Sequence, residues 1–259
     1  YTKIFEIMNA RADCLLNEID IGDIINLLGT VLSTRRAAEA LLMHSDNPRW
    51  KEFARAKQNI WENGKEYRAQ SNNSLLFHRK PSKEELHTFF DMINQGGNGE
   101  PGLVNAKHMK DRAPWGQGLN PCFEVLLADG NTCNLVTIDL GKFISDTSGL
   151  QKAARIIARA NYRQTVVDFR DGILQEKWSL NNDHLHLCGV SLMGIALRPD
   201  MQPYDYKRLE RTVIHSAYSM AEELGTPYPK NMTVNKPEGS ISKCLSLIHI
   251  SEPTRPLYI

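Results

Sequence analysis

The sequence predicts an α/β fold with parallel strands, and two observations support that prediction. Apolar runs typical of strands alternate with segments of helical periodicity along most of the chain. One run, LHLCGVSLMGIAL (185–197), is apolar almost throughout, as in a strand that is buried on both faces of a parallel sheet. Strands separated by helices therefore favour a parallel sheet over an antiparallel one.

The individual elements follow from local signals. Residues 1–45 are expected to be helical, since Ile21, Ile24, Ile25 and Leu28 have helical spacing and 37–43 is rich in helix formers. Further helices are expected from Asn47-Pro48 to about Asn59, behind the capping box Ser82–Glu85 up to Gly96-Gly97, over 149–164 and over 205–224. Strands are expected at SNNSLLF (71–77), at the end of NGEPGLVN (98–105), in FEVLLA (123–128), in NLVTIDL (134–140), within 185–197 and in the extended stretch 231–243, with a loop at 106–120.

Composition limits the classes of function. The 259 residues include 31 basic and 30 acidic side chains, so a net charge of +1 gives no electrostatic reason to expect nucleic-acid or membrane partners. The sequence contains no apolar run long enough for a transmembrane helix and no recognisable signal peptide. Five cysteines, an odd number whose spacing fits no zinc motif, favour a reducing compartment, and we expect the cytoplasm.

The stretch LNPCFEVLLADGNTCNL (119–135) places an acid beside a thiol. In an extended segment Cys122 and Glu124 would face one pocket, and a carboxylate there disfavours a nucleophilic thiolate by charge repulsion. The pair suits a neutral thiol or a thiyl radical, with Glu124 moving protons separately. A hairpin-like return would bring Cys133, at the start of the next strand, to the same pocket as a redox partner. Two buried structural cysteines are the alternative interpretation.

These motifs resemble a known active-site signature. NPCFE (120–124) followed by CNL (133–135) resembles the ribonucleotide reductases, in particular the adenosylcobalamin-dependent (class II) enzymes. The segments RAQSNNSLLF (68–77), GNGEPGLVN (97–105) and NKPEGSIS (235–242) resemble further family motifs in the family's order. The resemblance covers most of residues 20–243.

The resemblance implies both a fold and an activity. It implies that residues 1–243 are part of the ten-stranded α/β barrel of the ribonucleotide reductase and glycyl-radical type, with the Cys122 loop at its centre. The activity implied is reduction of ribonucleotides, with triphosphates favoured, to deoxyribonucleotides for DNA synthesis by a thiyl-radical mechanism. Two alternatives remain open: the large subunit of a diiron-dependent (class I) diphosphate reductase, and an inactive nucleotide-binding relative.

The family's residue roles carry over to matching positions. Cys122 would hold the thiyl radical, Glu124 would act as general base, Asn120 would position the ribose, and Cys133 would be half of the reducing dithiol. The second thiol of that dithiol is expected to lie outside this chain. Phe123 stands where relatives often have Gly, and we expect it to point away from the sugar. The implied substrate-binding residues are Ser74, Pro121, Pro237, Glu238, Gly239, Ser240 and Ser242.

The resemblance also implies a cofactor and partners. The cofactor is adenosylcobalamin, with most of its contacts expected outside this chain. The partners are a ribonucleotide substrate, an allosteric nucleotide effector and a thioredoxin-like reductant. No metal site is expected: His184, His186 and Cys188 alternate along DHLHLC on one face of a possible strand, but they lack a fourth ligand.

The end of the chain differs from the family pattern. LSLIHISEPTR (245–255) resembles the in-frame translation of an adaptor used in sequencing libraries. We therefore expect residues 244–259 to be a non-native tail, and the chain to be a gene fragment that is inactive on its own.

Overall fold

The computed structural model describes residues 1–32 and 39–237. Four of the implied substrate-binding residues, Glu238, Gly239, Ser240 and Ser242, lie outside the described residues, as does the 244–259 tail. The chain divides into two compact units, Tyr1–Leu126 and Leu127–Ile259. No helix among the described residues is long and apolar enough to cross a membrane.

The first unit is built on a parallel sheet. Its helices are α1 (Thr2–Ala10), α2 (Glu18–Leu32), α3 (Trp50–Ala54), α4 (Lys83–Gly96) and α5 (Ala106–Arg112), with a 3-10 helix at Glu66–Gln70. Its strands are β1 (Glu39–His44), β2 (Ser71–Phe77), β3 (Gly102–Asn105) and the two-residue β4 (Gly118–Leu119), which forms a separate small sheet with β5 (Leu126–Leu127). Strand β2 lies between β1 and β3 and runs parallel to both. The core of this unit consists of Met43, Phe53, Leu75, Phe77 and Phe89.

The second unit pairs two parallel strands and packs helices on them. Its elements are β6 (Asn134–Asp139), a 3-10 helix at Leu140–Phe143, α6 (Thr147–Arg163), α7 (Glu176–Leu185), β7 (Cys188–Met193), a 3-10 helix at Ile195–Leu197 and α8 (Pro203–Leu224). Strand β6 runs parallel to β7, with Val136 opposite Val190. Helices α6 and α8 cover this pair with apolar side chains that include Leu150, Ala154, Leu209 and Val213.

Several predictions from the sequence are confirmed. Strands β2, β3 and β6 occupy the expected stretches, and β7 is the buried parallel strand that the apolar run indicated. Helices α6 and α8 match the expected periodic segments. At α4 the Ser82 side chain accepts from Glu85 N, Glu85 accepts from Ser82 N, and Gly97 closes the helix with a φ of 63°.

Other predictions are wrong. Residues 39–44 form a strand and not a helix, because pairing with β2 overrides their helix propensity. The helix expected up to Asn59 ends at Ala54, and the expected loop at 106–120 begins with α5, which Asn105 caps by accepting from His108 N. The strand expected over 123–128 is reduced to Leu126–Leu127. The hairpin is absent, since β5 pairs with β4 whereas β6 pairs with β7.

The overall class is therefore α/β with parallel pairing, as the sequence predicted. The described strands belong to separate sheets of three and two strands. They do not by themselves establish the ten-stranded barrel, which remains a proposal.

Candidate active site

Residues Asn120 to Val125 form a tight loop that Asn120 holds together. The backbone N–H of Asn120 donates to Val125 O at 3.2 Å, and Phe123 N–H donates to Asn120 O at 2.9 Å. The Asn120 side chain accepts from Val125 N at 2.9 Å through Oδ1. Its Nδ2 donates to no residue in the described part of the chain. The loop is thus closed from within, and one amide donor remains for a ligand.

The geometry of this loop corrects the expected extended segment. Phe123 adopts a φ of 64°, in the left-handed region, so Cys122, Phe123 and Glu124 follow a turn. The alternation rule for strands therefore does not place Cys122 and Glu124 on one face. This φ favours glycine at the position, because glycine has no Cβ to strain in this conformation.

Strand β2 anchors the loop from outside. Asn72 Nδ2 donates to Pro121 O at 2.5 Å, which ties the residue before Cys122 to the sheet. Ser74 is two positions further along β2, so its side chain leaves the strand on the same face as that of Asn72. Ser74 is buried, whereas Cys122 is exposed at the turn.

A partly buried ion pair that the sequence did not reveal supports the same strand. Lys57 Nζ lies 2.7 and 2.9 Å from the two Glu100 carboxylate oxygens and donates to Ser71 O. Glu100 Oε2 also accepts from Asn73 N at 3.2 Å. The SNNS and GEPG motifs are therefore adjacent in one sheet. Lys57 gave no signal in the sequence, since it is an isolated lysine in a segment expected to be helical.

Glu124 is a partly buried residue with one buried carboxylate oxygen. Its Oε2 is buried and has no hydrogen-bond partner among the residues that the structure describes. A buried carboxylate oxygen without a donor is costly unless a proton or a ligand hydroxyl completes it. The arrangement suits a group that exchanges a proton with a bound molecule.

Cys133 belongs to the second unit. It lies directly before β6 and is not part of the strand that it was expected to start. It is partly buried. Cys188, opposite Asn134 in the sheet, is fully buried, and burial raises the pKa of its thiol to about 12. Cys188 is therefore an inert structural thiol at neutral pH.

The expected phosphate loop is approached by a segment that follows β7. Val234 N donates to Val190 O at 3.2 Å, and Lys236 N donates to Ser191 Oγ at 3.1 Å. Lys236 Nζ lies 3.2 Å from Thr137 Oγ1. Pro237, which is exposed, is the last described residue of this segment.

The histidines of DHLHLC do not share a strand face. His184 lies in α7, His186 ends that helix with a φ of 41°, and Cys188 begins β7. His186 is buried against Thr165, whose Oγ1 lies 3.0 Å from its Nδ1. Within the described ranges no group of three or more His, Cys, Asp and Glu side chains has the arrangement of a metal site.

Comparison with known proteins gives consistent relatives. No family model matches the chain. The adenosylcobalamin-dependent ribonucleoside-triphosphate reductase of Lactobacillus gasseri is 31% identical over 208 residues, which is 74% of this chain and 26% of the relative. The enzyme of the same name from Lactobacillus helveticus is 28% identical over 288 residues, which is 94% of this chain and 37% of the relative.

The chain is a homologue of the adenosylcobalamin-dependent ribonucleotide reductases. The crystal structure of a B12-dependent (class II) ribonucleotide reductase agrees in fold, with a TM-score of 0.74 and 24% identity over 93% of this chain and 38% of that one. None of these relatives supports the diiron-dependent alternative. The chain spans about a quarter to two fifths of the length of these relatives.

Proposed function

We propose that the protein carrying this chain reduces ribonucleoside triphosphates to deoxyribonucleotides by a thiyl-radical mechanism, with adenosylcobalamin as cofactor. The observation that supports this most is the loop at Asn120–Val125. It combines an exposed Cys122 thiol, an Asn120 amide donor without a protein acceptor, and a buried Glu124 oxygen without a donor. The chain is also similar to proteins that are named adenosylcobalamin-dependent ribonucleoside-triphosphate reductases, and this name describes the proposed reaction.

Each residue has a proposed role in the reaction. As a thiyl radical, Cys122 removes the hydrogen atom from C3′ of the ribose and becomes a thiol. Glu124 accepts the proton of the 3′-hydroxyl through its unsatisfied oxygen. Asn120 Nδ2 donates to a ribose hydroxyl and orients the sugar. Cys133 and a second thiol outside this chain supply two electrons as they form a disulfide, and the 2′-hydroxyl leaves as water.

Substrate phosphates are assigned to the segment after Lys236. Pro237, Glu238, Gly239, Ser240 and Ser242 are the proposed contacts, since glycine lets the backbone N–H groups approach a phosphate closely. Ser74 and Pro121 complete the proposed substrate contacts. The described strands would then be part of the ten-stranded barrel around the Cys122 loop.

Adenosylcobalamin, when bound, supplies the chemistry that generates the first radical. The exposure of Cys122 fits this requirement, because the thiol must be reached by that group. Its binding contacts are expected mostly outside this chain. A nucleotide effector, a thioredoxin-like reductant and a cytoplasmic location complete the proposal.

Turnover by the full-length protein tests this function. Deoxynucleotide formation should require added adenosylcobalamin, and Cys122→Ser should abolish it while nucleotide binding persists. Cys14→Ser, at another exposed cysteine, is the matched control and should retain activity. Unchanged turnover in Cys122→Ser would refute the assignment. Nucleotide binding without any turnover by the wild-type protein would favour the inactive nucleotide-binding alternative.

Two substitutions of Asn120 distinguish the role of its amide oxygen from that of its amide nitrogen. Asn120→Asp keeps the acceptor for Val125 N but replaces the Nδ2 donor with an oxygen, so the protein should fold normally and lose activity. Asn120→Ala removes the acceptor as well and should also unfold more easily in urea, because Val125 N is left without its partner. Full activity in Asn120→Asp would remove Asn120 from the proposed substrate contacts.

A further inference from the structure

A polar cleft lies along helices α6 and α8 in the second unit. Its volume is about 510 Å³. Four residues of α6 line one side of the cleft, and a stripe of α8 residues at helical spacing lines the other. We call it the arginine cleft and define it by Gln151, Arg155, Arg208, Arg211, Thr212 and His215.

The cations of the arginine cleft are not neutralised by the protein. Within residues 39–237, Arg155, Arg208 and Arg211 form no ion pair, and Arg155 Nε donates only to Gln151 O at 3.3 Å. Other arginines of this unit are paired: Arg159 lies 2.5 Å from Glu223, and Arg198 lies 2.7 Å from Asp200. Three guanidinium groups beside one cleft therefore lack counter-charges.

Asp146, which directly precedes the lining residues Thr147 and Ser148, is engaged in capping α6. Asp146 caps α6 by accepting from Gly149 N at 2.8 Å through Oδ1. This carboxylate stabilises the start of the helix and forms no ion pair with the described cleft arginines. The cleft is thus open to an anion from solution.

A largely buried glutamine holds an amide group at the wall of the cleft. The Gln151 side chain is 7% exposed, and its Oε1 accepts from Thr212 Oγ1 at 2.6 Å. Its Nε2 donates to no residue in the described part of the chain. Its Nε2 is therefore an amide donor at the wall of a cationic cleft, placed to donate to an oxygen of a bound anion.

The lining also indicates what the cleft does not recognise. Guanidinium, imidazole, amide and hydroxyl groups line it, and no Trp, Tyr or Phe from the described residues does. Guanidinium forks match phosphate oxygens, whereas base recognition uses stacking on aromatic rings. The chemistry favours a phosphate chain over a nucleobase.

We propose that the arginine cleft binds a polyphosphate group, either free triphosphate or the triphosphate of a nucleotide, without selecting the base. Arg155, Arg208 and Arg211 hold the phosphate oxygens, and Gln151 Nε2 donates to one of them. This site is independent of the roles proposed for Cys122, Glu124 and Asn120, and its test requires no turnover.

Hydrogen exchange localises the binding in the full-length protein. Sodium tripolyphosphate is titrated at constant ionic strength, and protection is followed in peptides from 147–155 and 205–216. Saturable protection there is expected. Arg208→Gln combined with Arg211→Gln should weaken it by at least about tenfold, since two charge-assisted contacts are lost. Gln151→Glu, which places a negative charge in the same volume, should weaken it by a similar factor.

Arg163→Gln is the matched control, because it removes the same charge from the exposed end of α6, outside the cleft. Its effect should stay within about twofold, and a loss equal to that of the cleft variants would overturn the proposal as non-specific attraction. An absence of saturable protection in the wild-type protein would also overturn it.

Nucleotides separate the two sources of the phosphate chain. ATP and CTP should protect the same peptides with affinities within about threefold of each other and of tripolyphosphate. Tighter binding of both nucleotides to the same degree would identify the nucleotide, through its sugar, as the preferred source. A strong preference for one base would contradict the proposed recognition of phosphate alone.

Discussion

Phe123 holds the loop at Asn120–Val125 in a backbone conformation that favours glycine. Its φ of 64° is a conformation that a side chain with a Cβ adopts at a cost of about 1–2 kcal/mol. The hydrogen bonds of Asn120 to Val125 and Phe123 impose the turn, and the Phe123 ring is half-buried. The loop therefore carries local strain that its own hydrogen bonds offset.

Two substitutions of Phe123 distinguish the cost of its backbone conformation from the contribution of its ring. Phe123→Ala loses the ring but keeps the Cβ, whereas Phe123→Gly loses both. We expect the glycine variant to be more stable than the alanine variant by about 1 kcal/mol, because only the alanine must hold a positive φ. Urea unfolding of the two variants measures the difference. A less stable glycine variant would mean that the turn is not left-handed at this position.

Strands β2 and β3 illustrate a constraint at the scale of the element. Gly102 pairs with Ser74 across the parallel sheet, and a Cβ at Gly102 would lie 2.5 Å from Ser74 Oγ. The glycine of the GEPG motif thus leaves room for the serine of SNNS. The two motifs are coupled through one close contact between neighbouring strands.

A double-mutant cycle tests this coupling. Gly102→Ala should lower the free energy of unfolding by about 1–3 kcal/mol through overpacking. Ser74→Ala removes the clashing oxygen and leaves a Cβ at 3.5 Å, an ordinary contact, so the double variant should recover most of the loss. Chemical denaturation of the four proteins provides the coupling energy. Additive effects of the two substitutions would contradict the proposed contact.

A charged residue in the first turn of α4, Glu85, makes the stability of the fold depend on pH. The Arg79 guanidinium donates to the Glu85 carboxylate, and this hydrogen bond, together with one from Ser82 N, lowers the Glu85 pKa to about 2 from an ordinary 4.5. A carboxyl group whose pKa is lower in the folded than in the unfolded protein stabilises the fold at pH values above its unfolded pKa. This stabilisation is lost as the pH falls towards the pKa of the folded state.

Glu85→Gln should therefore be less stable than the wild-type protein near neutral pH. The difference should shrink as pH falls from about 4.5 to about 2, because the wild-type carboxylate becomes protonated over that range. Thermal unfolding at a series of pH values measures it. Glu84→Gln, at an exposed neighbour in the same turn, is the matched control for the loss of a negative charge at this end of the helix. A constant Glu85→Gln difference down to pH 2 would contradict the explanation.

At the scale of the whole molecule, the cysteines divide by accessibility. Cys14 and Cys122 are exposed, Cys133 is partly buried, and Cys188 is buried with a pKa raised to about 12. Thiolate formation and access together control reactivity, so the two exposed thiols and Cys188 are opposite extremes.

Alkylation of the native protein tests this order. Brief treatment with iodoacetamide near neutral pH should modify Cys14 and Cys122 and leave Cys188 unmodified, with peptide mass spectrometry as the measurement. In urea all three should react alike, which controls for intrinsic differences. Early modification of native Cys188 would contradict its burial.

Much of the molecule was accessible from the sequence because its signals are local. The capping box of α4, the periodicity of α6 and α8 and the apolar run of β7 each depend on residues close together in the chain. The ordered motifs also predicted the resemblance to adenosylcobalamin-dependent ribonucleotide reductases, which the comparisons confirm. The roles of Cys122, Glu124, Asn120 and Cys133 remain proposals.

Tertiary structure decided what depends on distant partners. Residues 39–44 have helix-forming side chains, yet pairing with β2 makes them a strand. The turn at Phe123, the Lys57–Glu100 ion pair and the arginine cleft arise from groups brought together by folding. Local propensity amounts to fractions of a kcal/mol per residue, so long-range pairing and packing override it wherever the two disagree. The sequence by itself therefore determined the resemblance to these reductases and the strongly patterned elements, while the positions of its functional groups required the fold.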